Sequence, residues 1–261
     1  MTIHKTKLAD LESGYAITPL RLGDRTHVVA APEGKGPFIL FTPPDWKATI
    51  LADGPGGVMS MVQLPGREST FAAIAECYPG YHFEEGGVYL LQPGEAVEQP
   101  EERHVRQNHA SRGASREKNG IAAAKIPWSA RRGFDLPFGH RMETVSIGGR
   151  PYLITATIAA GKTNKDDWSR PGTVYAAKIP EQLDGIWEQQ PILEGIVRNH
   201  GLHRAILDGR ETLLVGGAKG LIALTVPSQE GQSWERQTIL PQEISEVYAA
   251  DLDEDGQMEL V

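Results

Sequence analysis

The sequence predicts an all-β fold, a β-propeller of four-stranded antiparallel blades, and three recurring units predict it. The first is a glycine turn followed by an apolar strand: LPGRESTFAAIA (64–75), IGGRPYLITATIA (147–159), LDGRETLLVGG (207–217) and EDGQMELV (254–261). Glycine accepts the positive φ of a tight turn at little cost, and β-formers follow it. The second is a glycine-led apolar strand closed by proline: GPFILFTP (36–43), GGVYLLQP (86–93), GTVYAAKIP (172–180) and GLIALTVP (220–227). Proline there removes a donor only where the ladder has finished. The third is a strand opened by tryptophan: DWKATIL (45–51), IWEQQPIL (186–193) and SWERQTIL (234–241).

Taken in order, each cycle reads as an inner strand, a glycine turn, a second strand, a glycine-led third strand and a tryptophan-led fourth. That is an antiparallel meander. The second cycle has no clean tryptophan-led member. Gly66, Gly149, Gly209 and Gly256 mark successive turns at spacings of 83, 60 and 47 residues. The shortest matches the roughly 40–50 residues of a propeller blade, and the longer ones carry insertions. Helix signals are poor, with LADLES and PEQLDGIW the best short candidates. A blade cannot bury both faces alone, and commonly about 6–8 of them close a ring. The count is roughly four cycles plus the opening of a fifth. The expectation is therefore one propeller domain over 1–261, an incomplete ring continued in a longer gene product, with 101–120 a polar, basic insertion.

Composition excludes several classes. The chain has 261 residues, 40% of them hydrophobic, which suffices for a packed core, and Gly 29 with Pro 18 favours short elements joined by turns. A formal charge of -8 argues against a nucleic-acid partner. No stretch approaches the roughly 18 apolar residues of a membrane helix. The start, MTIHKTKLADLESGYAIT, shows no apolar signal core, and one cysteine, Cys77, suits a reducing compartment, so cytoplasm is the expected location. The elbow GxSxG and the motifs HExxH, CxxC and GxGxxG do not occur, so no nucleophile is assigned.

Candidate residues follow from register. His140 and His200 each stand nine residues before their turn glycines, Gly149 and Gly209, at one point on successive inner strands. Such positions open toward the propeller axis, and Arg141, Asn199 and His203 add donors beside them. Two imidazoles and an arginine could hold a carboxylate, a sugar or a metal. The alternative is that each imidazole satisfies a carbonyl of the neighbouring blade. The long hairpin loop GKTNKDDWSRPG (161–172) offers Asp167 and Trp168 as a sugar-stacking platform, or a tryptophan folded back on its own blade. In DLDEDGQME, Asp251, Asp253, Asp255 and Glu259 fall at positions 1, 3, 5 and 9 of a calcium-type loop. Strand-like flanks, VYAA and MELV, disfavour an EF-hand. Calcium or magnesium is the expected cation, and an empty turn is the alternative.

This DxDxDGxxE loop between strands resembles the FG-GAP/VCBS class of propeller repeats. FGHRMETV and RNHGLHRAILDGRETLLVGG are similar to the propeller part of fungal aldos-2-ulose dehydratases and related bacterial proteins. The resemblance implies carbohydrate chemistry and metal ions in the propeller. Three functions remain open: a propeller binding a carbohydrate-like small molecule and a divalent metal, a sugar lyase, dehydratase or isomerase with an axial histidine site, and a protein-interaction scaffold using 101–120.

Overall fold

The computed structural model describes residues 5–80, 82–94, 121–123 and 127–261, so the 101–120 insertion lies outside the described residues. Every regular element described is a strand. The first blade consists of β1 (Gly14–Leu22), β2 (Arg25–Pro32), β3 (Phe38–Thr42) and β4 (Lys47–Ala52). The second has β5 (Ser60–Gln63), β6 (Phe71–Ala75), β7 (Gly87–Pro93) and, after the short β8 (Ala122–Ala123), β9 (Trp128–Asp135). The third has β10 (Gly139–Ile147), β11 (Arg150–Thr157), β12 (Gly172–Lys178) and β13 (Gln189–Ile196). The fourth has β14 (Gly201–Leu207), β15 (Arg210–Gly217), β16 (Gly220–Thr225) and β17 (Glu235–Leu240). A strand pair, β18 (Ala249–Ala250) and β19 (Glu259–Leu260), follows. Blades run in simple antiparallel order, and β8 adds to β4 in parallel.

These four blades and the final pair form a β-propeller, as the repeats predict. Two elements differ from the reading of the sequence. The first blade begins earlier than the turn at Gly66, because LGDR at 22–25 plays the part of IGGR and LDGR: Leu22, Ile147 and Leu207 pair with Arg25, Arg150 and Arg210. The second blade does have a tryptophan-led fourth strand, β9, which lacks the Ile-Leu pair and lies far along the chain from β7. The two candidate helices are coil and turn. No helix among the described residues is long and apolar enough to cross a membrane.

The core sits between blades, and side-chain alternation builds it. Successive residues of a strand point to opposite faces, so one strand serves two neighbours. On β6, Phe71 and Ala73 meet the first blade while Ala72 and Ile74 meet the third. On β11, Leu153 faces the second blade and Ile154 the fourth. On β15, Leu213 faces the third blade and Leu214 packs with Val247 and Ala249. The second strands β6, β11 and β15 are therefore buried on both faces, which is why FAAIA and LLVGG are apolar without interruption. Blades diverge outward from an axis, and large rings fill the wider seam. Trp187 of the third blade packs on Phe134 of the second, and Trp234 of the fourth joins the cluster holding Tyr152 of the third.

Glycine at the head of the third strand answers a close approach. A Cβ on Gly172 would lie 2.0 Å from the Thr157 carbonyl oxygen, and one on Gly220 2.0 Å from that of Leu240. Position and seam give a first prediction. Leu213, fully buried between blades three and four, should cost about 2–5 kcal/mol when cut to alanine. Ile206, half-exposed on the neighbouring strand, should cost about 0.5 kcal/mol or less. Urea unfolding of the two variants measures both.

Candidate functional site

The inner strands β1, β5, β10, β14 and β18 neighbour one another in that order around the axis. Where they begin, they border an open depression of about 550 Å³, lined by Tyr15, Met61, Arg141, His203, Glu246 and Tyr248 among others. Five successive sheets contribute, so the depression lies on the axis.

His140 and His200 meet just behind its wall. Their rings stand edge to face with centroids 4.6 Å apart. His140 is buried and its Nδ1 lies 2.8 Å from the Asn199 carbonyl oxygen on the next blade. A carbonyl only accepts, so Nδ1 carries the proton and Nε2 is left as the acceptor. The hydroxyl of Tyr15 then donates to Nε2 at 3.2 Å. His140 thus ties the first, third and fourth blades together. Burial, then the charges of Arg141 and His200, hold its pKa well below the ordinary imidazole value. His200, part-buried, is lowered for the same first reason.

Asn199 is fully buried. Its amide nitrogen donates to the carbonyls of Gly201 and Gly216, both at 3.1 Å. Two acceptors on one side fix the amide's orientation, and its task is to brace the start of β14.

Arg141 does line the depression. Its Nε donates to the His200 carbonyl at 2.6 Å, and Nη1 to those of Met59 at 3.2 Å and His140 at 3.5 Å. Its Nη2 meets the Glu246 carboxylate, and its guanidinium lies 5.8 Å from the Tyr15 ring centroid. His203 stacks on Tyr248 with centroids 4.4 Å apart and places Nδ1 3.8 Å from Glu143 Oε1. Burial lowers the His203 pKa and raises that of Glu143, which narrows the ordinary gap between imidazole and carboxyl.

The hairpin loop is knit internally. Asp167 accepts from the Thr163 backbone amide and hydroxyl at 3.0 and 2.8 Å, and from those of Ser169 at 3.0 and 2.6 Å. The Ser169 bonds foremost hold its carboxyl well below the usual carboxylate range. Trp168 packs against the core between blades two and three, with Lys162 Nζ 3.0 Å and the Arg198 guanidinium 5.2 Å from its ring centroid. Asp167 therefore shapes the loop, and the protein's own cations engage the Trp168 ring.

In the acidic loop, Asp251, Asp253 and Glu259 offer ligand oxygens all within 4.8 Å of one another. Oδ1 of Asp251 is buried without a hydrogen-bond partner, and an all-oxygen set suits a hard cation. These three residues fit calcium or magnesium. Each also accepts one local backbone amide: Asp251 from Gly256 at 2.9 Å, Asp253 from Asp255 at 3.3 Å and Glu259 from Leu252 at 2.7 Å. Asp255 lies outside this cluster and accepts from the Gln257 backbone amide at 2.8 Å and from its side-chain amide at 3.2 Å.

Four residues of the axial region escape the sequence reading: Tyr15, Glu143, Glu246 and Tyr248. Tyr15 had a signal, since it holds the same offset from the LGDR turn as His140 and His200 hold from theirs. Cys77 is buried between the second and third blades, and burial pushes its thiol up to about 12. That rules it out as a ready nucleophile.

His140 makes stability depend on pH. Folded, its ring resists protonation; unfolded, it takes a proton below about pH 6.5. The unfolded chain then binds more protons, so His140's contribution is full above that value and is lost as pH falls. Urea midpoints should drop between pH 7.5 and pH 5, and His140→Gln should drop less. Nitrogen-resolved imidazole spectra should show His140 neutral and protonated at Nδ1 at pH 6; a cationic ring there would contradict this.

No protein-family model matches the chain, and no curated protein matches it in sequence. Among solved structures, the PQQ-bound aldose sugar dehydrogenase of Streptomyces coelicolor is similar at 11% identity and a TM-score of 0.35, over 94% of this chain and 87% of that one. The alpha-L-arabinofuranosidase of Lactobacillus brevis is similar at 11% identity and a TM-score of 0.49, over 95% and 81%.

Proposed function

We propose that this chain is a ligand-binding propeller that takes a carbohydrate-like small molecule in its axial depression. The observation that carries the reading is the pair of tyrosine rings at its rim. Tyr15 is 40% and Tyr248 59% exposed, and both border a depression that also presents the Arg141–Glu246 pair and His203. An aromatic face matches the C–H face of a pyranose, and planar charged groups match neighbouring hydroxyls. A volume of about 550 Å³ falls within the range of small-molecule sites. Titration calorimetry with neutral and acidic monosaccharides and disaccharides tests this. Binding should appear for a subset, and Tyr248→Ala should weaken it about tenfold, roughly 1.4 kcal/mol. Silence across the whole panel would refute the reading.

The acidic loop would serve as a divalent-cation staple for the final strand pair, with Asp251, Asp253 and Glu259 as ligands, in keeping with an FG-GAP/VCBS-type repeat. A cation bound only by the folded chain raises its melting temperature. Calcium should raise it in the parent, and Asp253→Ala should abolish the rise; equal shifts in both proteins would dismiss the staple.

A second reading, an enzyme acting on a sugar, is favoured by one observation. His203 and Glu143 lie 3.8 Å apart, and burial raises the Glu143 carboxyl toward the range in which a carboxyl can act as a general acid or base. Turnover of ketoses or anhydro sugars that disappears in Glu143→Gln would move the protein from binder to enzyme.

A further inference from the structure

We propose that the ligand of the axial depression carries a carboxylate, as a uronic acid sugar does, and that this carboxylate takes the place of Glu246 on Arg141. The proposal rests on the reading of the depression as a carbohydrate site and names the chemical class of its ligand.

Arg141 is built as a fixed anion anchor. Its Nε and Nη1 donate to the carbonyls of His200, Met59 and His140, which belong to the starts of the fourth, second and third blades. Those partners hold the guanidinium plane without neutralising its charge. A carbonyl is a dipole, and each of these is fixed by the sheet that carries it. The Arg141 side chain is only 16% exposed, so its remaining polar edge points where the depression leaves it room, toward Nη2.

Glu246 occupies that edge on different terms. Its side chain is 64% exposed, and it stands in the irregular stretch between β17 and β18. One end of the ion pair is thus rigid and enclosed while the other is a long side chain largely in water. An exposed carboxylate in such a pair contributes little net stability, and it can swing into solvent when another carboxylate arrives. A guanidinium edge recognises any carboxylate in the same planar way. Glu246 already shows where such a group sits.

The surroundings suit a ring attached to that carboxylate. Tyr15 lies beside the guanidinium and Tyr248 beside His203. The other acid of the region, Glu143, faces His203 and accepts backbone hydrogen bonds from Arg204 and Thr144, so it does not compete for Arg141. A neutral polyol can hydrogen-bond around this ion pair, but nothing in it would release Glu246.

The test is titration calorimetry of glucuronate and galacturonate against glucose and galactose, with the parent chain and Glu246→Gln. The parent should bind the uronates at least about tenfold more tightly than their neutral counterparts. Glu246→Gln should raise that preference by a further factor of roughly three or more, since the amide no longer contests the guanidinium. Raising salt from 50 to 500 mM should weaken uronate binding selectively. Arg141→Gln should abolish the preference, and if it fails to fold, Glu246→Gln and the salt series decide alone. Neutral sugars bound as well as uronates in both proteins would overturn the proposal and leave the sugar site standing. No binding of any sugar to either protein would remove both.

Discussion

The structure depends on one constraint: an inner blade must hide both of its faces, and each face belongs to a different neighbour. Leu153 and Ile154 are adjacent in sequence, yet one packs toward the second blade and the other toward the fourth. Leu213 and Leu214 divide in the same way. No inner blade is a unit of stability by itself, because its apolar side chains divide between clusters shared with two different neighbours. The blade order in space is therefore the blade order in sequence, and the inner strands are brought into line around an axis as a consequence.

That alignment explains why the polar chemistry gathers where it does. Sheets pack through their faces, but the starts of the inner strands leave backbone groups turned toward the axis with no ladder to join. Arg141 and His140 answer this need by binding carbonyls of other blades. The same two residues that fasten blades together also border or back the depression. Structural and ligand-binding roles are thus not alternatives at this site. A guanidinium held by three carbonyls is pre-organised for an anion because it is first a fastener.

The repeat was legible in the sequence wherever its turn kept Gly third, directly before Arg or Gln, as at 64–67, 147–150, 207–210 and 254–257. It faded where the letters were exchanged: LGDR at 22–25 builds the same kind of turn as LDGR at 207–210, but places Gly one position earlier, with Gly23 at positive φ. Trp128 heads a fourth strand like Trp187 and Trp234, but its strand continues SARRGF, without the aliphatic pair. The histidine pair was legible by counting from turn glycines, and the neighbours' contribution was not. Glu246 and Tyr248 come from an irregular segment that repeats nothing, so no register could bring them to the axis. The acidic loop shows the limit of spacing arguments. Asp251, Asp253 and Glu259 converge although each accepts a local backbone amide, whereas Gln257 takes both oxygens of Asp255, which stays outside the cluster.

The two aromatic candidates illustrate how burial decides between packing and recognition. Trp168 looked like a platform because it sits beside carboxylates in a long loop, yet its ring leans on the core with Lys162 and Arg198 close to it. Tyr248 had no such signal and stands mostly exposed, stacked by one face on His203. A ring braced on one face and open beyond it loses little conformational freedom when a ligand stacks there, since its rotamer is already set. The same reasoning separates the two charged groups that share the depression with it. Arg141 is immobilised by neutral partners and retains its charge for whatever enters, whereas Glu246 is free to leave. A site that combines a fixed cation, a displaceable anion and braced rings discriminates by the ligand's charge first and by its ring second.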